Sequence, residues 1–209
     1  QIKQLTKYFW WASLSGRFSS AVESKLAQDF KKIDNILNNE IPNYDGEELE
    51  LKLDNVINRQ FSTGDSFCKA IISLYAYYIP KSFADNSLVR IDNSWLKVAF
   101  SKNYHHFFPK SFLRKRGLSD YESNSIVNIT IVDDYLNKRS IGAKAPSDYM
   151  GTYKLENEEL NDTMKSHLVD DLSTFGVWDD DYDTFLIKRG QKVLDAINER
   201  LHPRLLLGN

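Results

Sequence analysis

Two adjacent histidines, His105 and His106, open a run that continues Phe107, Phe108, Pro109, Lys110, Ser111, Phe112, Leu113. Imidazole has an ordinary pKa near 6.5, so at neutral pH it can take up a proton, and it is also a common metal ligand. On an extended segment neighbouring side chains point to opposite faces, so one histidine of the pair can bind a cation while the other addresses a water molecule. Downstream, Asn128 precedes the β-branched run Ile129 to Val132, which reads as a strand. Asn137 follows nine residues later in a stretch with a helical reading, and Lys144, Ala145, Pro146 and Ser147 close the region. The other two histidines, His167 and His202, stand singly in helical patterns and read as satisfied core or surface residues rather than as parts of a site.

These residues need elements to position them. Ile2, Leu5, Phe9, Trp10 and Leu14 fall at helical spacing, followed by a turn containing Gly16. A second helical period runs from Ala21 to Leu37 through Val22, Leu26, Phe30, Ile33 and Leu37, with Lys and Asp on the other face. A third apolar helix is predicted from about Asp65 to Ile79, ended by Pro80. Between Lys81 and Met150 the pattern breaks into short apolar runs separated by Asn, Ser and Gly. Helical spacing returns from Leu155 and is clearest in Phe185, Leu186, Val193, Leu194, Ile197 and Leu201, before Pro203. The fold class expected is α+β and predominantly helical, with a small β unit between helical ends. Residues 1–84, 85–150 and 151–209 form its N-terminal, central and C-terminal segments, packed as one body.

With 209 residues, 42% of them hydrophobic and 27% charged, the chain can bury a sizeable core and is not of disordered composition. Its 27 basic and 29 acidic residues exclude a uniformly basic nucleic-acid coat. Charge is nevertheless uneven. Residues 102–144 carry a net charge of +4 from Lys102, Lys110, Arg114, Lys115, Arg116, Lys138, Arg139 and Lys144 against four acids, leaving −6 for the rest. A basic island beside the histidines suits a polyanionic substrate, since phosphate contacts supply most non-specific affinity for nucleic acid. The single cysteine, Cys68, allows neither an internal disulfide nor a thiolate zinc site, and points to a reducing compartment. The longest apolar stretch, Phe67 to Ile79, is too short to span a bilayer, and no secretory signal opens the chain. A cytoplasmic protein without membrane contact is expected. Because position 1 is Gln and runs at once into a helical pattern, the chain reads as a fragment of a longer polypeptide.

The run Tyr104 to Leu113, with Asn128 and Asn137 in order behind it, resembles the HNH, or His-Me finger, ββα-metal nuclease motif. The segment Phe9 to Ser20, with its two tryptophans and Gly16-Arg17-Phe18, and the segment Asp181 to Arg189 resemble the C-terminal half of GmrSD-like restriction proteins. In that group an N-terminal ParB-like NTPase domain precedes the HNH part, and neither a phosphate-binding Gly-x-x-x-x-Gly-Lys loop nor a Gly-x-Ser-x-Gly nucleophile turn occurs in this chain. The resemblance implies a metal-dependent DNA endonuclease or nickase of a restriction or phage-defence system, leaving 5′-phosphate and 3′-hydroxyl ends. It implies His106 as general base, Asn128 as the residue that fixes the base-carrying loop, and His105 with Asn137 as ligands of one divalent ion. His105 stands where a closely similar HNH motif has Asp, which admits Mn²⁺ or Ni²⁺ beside Mg²⁺, the ion expected first. Lys110, Arg114, Lys115, Arg116, Lys138, Arg139 and Lys144 are the expected DNA contacts, and a ParB-like NTPase domain the expected partner. Taken one at a time, the aromatics suit an ordinary core strand and the asparagines suit turns and caps. A catalytically silent nucleic-acid-binding or regulatory module with the same fold is the alternative. Acyl transfer by a His-His-x-x-x-Asp motif fails because Lys110 stands where Asp is required.

Overall fold

The computed structural model describes residues 1–44, 49–91, 104–132 and 141–202. The described elements are α1 (Ile2–Leu14), α2 (Val22–Leu37), α3 (Leu53–Ile57), α4 (Ser66–Tyr77), β1 (Tyr104–His106), α5 (Lys110–Lys115), β2 (Ile129–Ile131), α6 (Pro146–Glu156), α7 (Leu160–Lys165) and α8 (Tyr182–Leu201). The protein is therefore mostly helical around one two-stranded antiparallel sheet, as the α+β reading expects. Among the described residues no helix is long and apolar enough to cross a membrane.

Local chemistry accounts for the helix ends. Asp65 caps α4 by accepting from the Phe67 backbone N–H at 3.0 Å, and Asp181 caps α8 by accepting from Thr184 N–H at 3.1 Å. Pro146 starts α6, where its missing N–H costs nothing. Gly190 lets α8 lie against α3, because a Cβ there would meet the Ile57 side chain at 2.5 Å.

Two hydrophobic clusters share α8. The first joins Trp10, Trp11 and Leu14 of α1 to Ile71, Leu74 and Tyr75 of α4, to Ile129 and Ile131 of β2, and to Val193 and Ile197 of α8. The second gathers Phe83, Phe107, Phe108, Leu113, Tyr149, Tyr153, Met164 and Phe185. Phe107 and Phe185 stack at 4.6 Å with planes 15° apart.

Arg189 lies in the middle of α8 and is only 1% exposed. Its Nε donates to the His167 carbonyl at 3.0 Å, and its Nη1 donates to the carbonyls of Val127 and, at 2.7 Å, Ile129. Its guanidinium also lies over the Tyr75 ring, 4.7 Å from the centroid. Burial lowers its pKa from the ordinary value.

Periodicity located α2 correctly but not its buried face. Val22, Leu26, Phe30 and Leu37 are 44–75% exposed, whereas Asp29 and Ile36 are buried. On that buried side Arg17 Nε lies 2.8 Å from both Asp29 carboxylate oxygens, and Tyr8 of α1 donates its hydroxyl to Asp29 at 2.9 Å. Trp10, Trp11 and Tyr75 are buried, while Tyr77 is exposed and lies under Arg200.

Replacing Arg189 with Met removes the donors of three carbonyl oxygens, each of which then stays buried without a partner. Urea unfolding of Arg189→Met is expected to show a loss of about 3–5 kcal/mol relative to the unmodified chain. A loss below about 1 kcal/mol would show that these carbonyls have other partners.

Candidate functional site

The His-His segment folds as β1 because it has a partner of matching length. Tyr104 pairs with Ile131, His105 with Thr130 and His106 with Ile129, antiparallel, and the Phe107 N–H extends the ladder to the Asn128 carbonyl at 2.7 Å. Opposed residues share a face, so His105 faces the same way as Thr130, and His106 the same way as Tyr104, Ile129 and Ile131. The two histidines thus lie on opposite faces.

Immediately after His106 the chain is held at every backbone polar group. Asn128 accepts from the Phe108 N–H at 2.8 Å and donates to the Phe108 carbonyl at 3.0 Å. Its amide also donates to the Ser123 carbonyl at 3.0 Å, which ties the turn Glu122–Asn124 to the same loop. Tyr149 of α6 donates its hydroxyl to the Phe107 carbonyl at 2.6 Å. Asn128, Phe107 and Phe108 are all fully buried, and Pro109 then opens α5. The loop behind His106 is accordingly fixed by one asparagine and one tyrosine, and side chains on a fixed backbone keep their geometry.

His106 is half-buried, and its Nε2 lies 3.1 Å from the Asn124 Oδ1. Burial pushes its pKa down to about 4; Lys110 acts in the same direction, and the Asn124 hydrogen bond opposes both. At neutral pH the ring is neutral and able to accept a proton. His105 is buried at 7% exposure.

Asn137, Lys138 and Arg139 lie outside the described residues, as does Lys102. Among the described residues no three His, Cys, Asp or Glu side chains come together to hold a metal ion. Of the two ligands that the resemblance implies for a divalent ion, His105 is described and Asn137 is not.

Of the basic residues, Lys110, Arg114 and Lys115 belong to α5 and Arg116 follows it, so the helix directly after the histidines carries the positive charge. Arg114 pairs with Asp120 at 2.7 Å, both exposed. Arg116 donates to the Asp180 carbonyl at 2.8 Å and lies over the Phe112 ring at 4.6 Å. Lys115 and Lys144 are exposed to solvent.

His167 is a satisfied core residue. Its Nε2 faces the Lys81 carbonyl at 2.8 Å, and its Nδ1 faces the Thr130 hydroxyl, also at 2.8 Å. A carbonyl only accepts, so Nε2 carries the proton and the hydroxyl donates to Nδ1. Burial lowers its pKa to about 4. Asn124 and Tyr149 belong to no recognisable spacing in the sequence; they reach His106 and Phe107 across 18 and 42 residues, respectively.

The chain is similar to an uncharacterized protein of Methanocaldococcus jannaschii, 32% identical over 153 residues, which cover 70% of this chain and 24% of that protein. The matched region therefore spans about a quarter of that relative's length. No family model and no solved structure matches the chain.

Two outcomes follow from this geometry. Asn128→Ala strands the N–H and carbonyl of Phe108 and the Ser123 carbonyl, and is expected to cost about 2–4 kcal/mol in urea unfolding. As for acid, the folded pKa values of His106 and His167 lie near 4, below the ordinary 6.5 of the unfolded chain. Protons therefore bind the unfolded state first, and stability is present above about pH 6.5 and lost progressively as pH falls to about 4. The urea midpoint should drop steadily from pH 7 to about pH 4.5, and His167→Gln should flatten that slope. An unchanged slope in His167→Gln would mean that His167 is not held neutral.

Proposed function

We propose that this chain is the metal-dependent endonuclease or nickase unit of a DNA restriction or phage-defence protein. The observation that carries the reading is the Asn128 clamp on the loop behind His106. A histidine at the end of the first strand is followed by a loop bonded at both backbone groups by an asparagine that opens the second. That is the role the HNH resemblance assigns to this asparagine. The ring of His106, neutral at working pH, supports its use as a base.

In this reading His106 takes a proton from the water that attacks phosphorus, and Asn128 holds the loop that carries it. His105 and Asn137 are the protein ligands of one divalent ion, with Mg²⁺, Mn²⁺ and Ni²⁺ as the ions to compare. When bound, such an ion neutralises charge on the phosphate and at the departing 3′ oxygen. Lys110, Arg114, Lys115, Arg116, Lys138, Arg139 and Lys144 contact backbone phosphates and set the register of the duplex. A ParB-like NTPase domain is the partner within the same polypeptide, and action on DNA places the protein in the cytoplasm.

Plasmid nicking tests the reading, with Mg²⁺, Mn²⁺ and Ni²⁺ in parallel and with the unmodified chain beside His106→Ala and Asn137→Ala. Nicking is expected only with metal, reduced about 100-fold or more in His106→Ala. DNA retention without scission in every metal would instead assign the chain to the silent binding or regulatory module.

A further inference from the structure

The orientation of the Asn124 side chain is fixed by chemistry on its far side. Its amide nitrogen donates to the Phe61 carbonyl at 3.1 Å, while its own backbone carbonyl accepts from the Phe61 N–H at 2.8 Å. Turning the amide over would set Oδ1 against a carbonyl oxygen, acceptor against acceptor, so the observed orientation is the only one with two satisfied ends. Oδ1 therefore faces His106 Nε2 at 3.1 Å, and an amide oxygen can only accept. It follows that Nε2 carries the hydrogen. The lone pair of the neutral ring is at Nδ1, which has no hydrogen-bond partner among the described residues.

We propose that Asn124 is the positioning residue of the base, holding His106 as the Nε2–H tautomer so that Nδ1 receives the proton of the attacking water; this rests on the nuclease reading above. As the water O–H bond breaks, its proton forms a new N–H bond at Nδ1, and the oxygen's electron pair forms the bond to phosphorus. The P–O3′ bond breaks with its electron pair on the 3′ oxygen, which takes a proton from solvent. The imidazolium so formed keeps its Nε2–H on the Asn124 amide oxygen, which attracts the ring's new positive charge without itself being charged. The turn that carries Asn124 is tied to the base loop by the Asn128 bond to the Ser123 carbonyl, so the two asparagines fix backbone and ring together.

The ring tautomer is read directly by nitrogen-15 NMR of the labelled full chain at neutral pH without metal. The expected pattern for His106 is a protonated Nε2 and an unprotonated Nδ1. In Asn124→Leu the single tautomer should give way to an exchanging mixture. Its metal-activated nicking should fall about 10- to 100-fold in kcat with little change in KM. Asn124→Asp keeps an acceptor oxygen towards Nε2 but sets its other oxygen against the Phe61 carbonyl, and should retain the Nε2–H tautomer with a partial recovery of the rate. An Nδ1–H ring in the unmodified chain overturns the proposal without recourse to any variant. So does wild-type kcat in Asn124→Leu while His106→Ala is inactive, a result that leaves the nuclease reading standing. Absence of nicking in the unmodified chain with the Nε2–H ring present fails the nuclease reading, and with it the catalytic role of Asn124, but not the tautomer.

Discussion

The guanidinium of Arg189 must find hydrogen-bond acceptors inside the protein, because α8 carries it to the place where the two hydrophobic clusters meet. Burying a charge without partners is costly, and here the partners are three backbone carbonyls, from Val127, Ile129 and His167. Two of these belong to the entry into β2 and to its first residue; the third belongs to the turn after α7. One side chain thereby sets where the small sheet lies relative to the long C-terminal helix, and the faces of Tyr75 and Phe185 complete its surroundings. Hydrogen bonds to a charged donor are stronger than neutral ones, which suits a single residue that has to join three segments.

From that anchor the remaining order follows outward. β2, held by Arg189, is the template on which β1 pairs, and Asn128 at its start takes the backbone of Phe108. Phe107 and Phe108 enter the second cluster beside Phe185, so the loop after the histidines is fixed by packing as well as by hydrogen bonds. On the opposite strand face the Thr130 hydroxyl donates a hydrogen bond to His167 Nδ1, and the His167 carbonyl accepts from Arg189. On the face of the sheet towards α7, Thr130, His167 and Arg189 form one hydrogen-bonded chain, and His106 lies on the other face. Polar networks of this kind specify a unique arrangement only when every member is satisfied.

Much of this frame is legible in the sequence where spacing and side-chain type act locally. α1 and α8 fall where apolar periodicity places them, β2 lies within the β-branched run, and Asp65 and Pro80 bracket α4. The short helices α3, α5 and α7 are not legible, because five or six residues hold too few turns for a period to register and tertiary packing decides. Nor is the face of α2: its strongest apolar stripe points outward, while Asp29 on the buried side meets Arg17, 12 residues away. At the site, His105, His106 and Asn128 stand out by type and order, whereas Asn124 and Tyr149 become visible only when the chain brings them to His106 and Phe107.

If the clamped His106 serves, as proposed, hydrolysis of a phosphodiester bond at its 3′ oxygen, the ends left on DNA report it. End-labelled duplex DNA incubated with the chain and Mn²⁺ should yield 5′-phosphate and 3′-hydroxyl termini, and His106→Ala should yield none. Termini bearing 3′-phosphate, or the same termini from His106→Ala, would contradict the account.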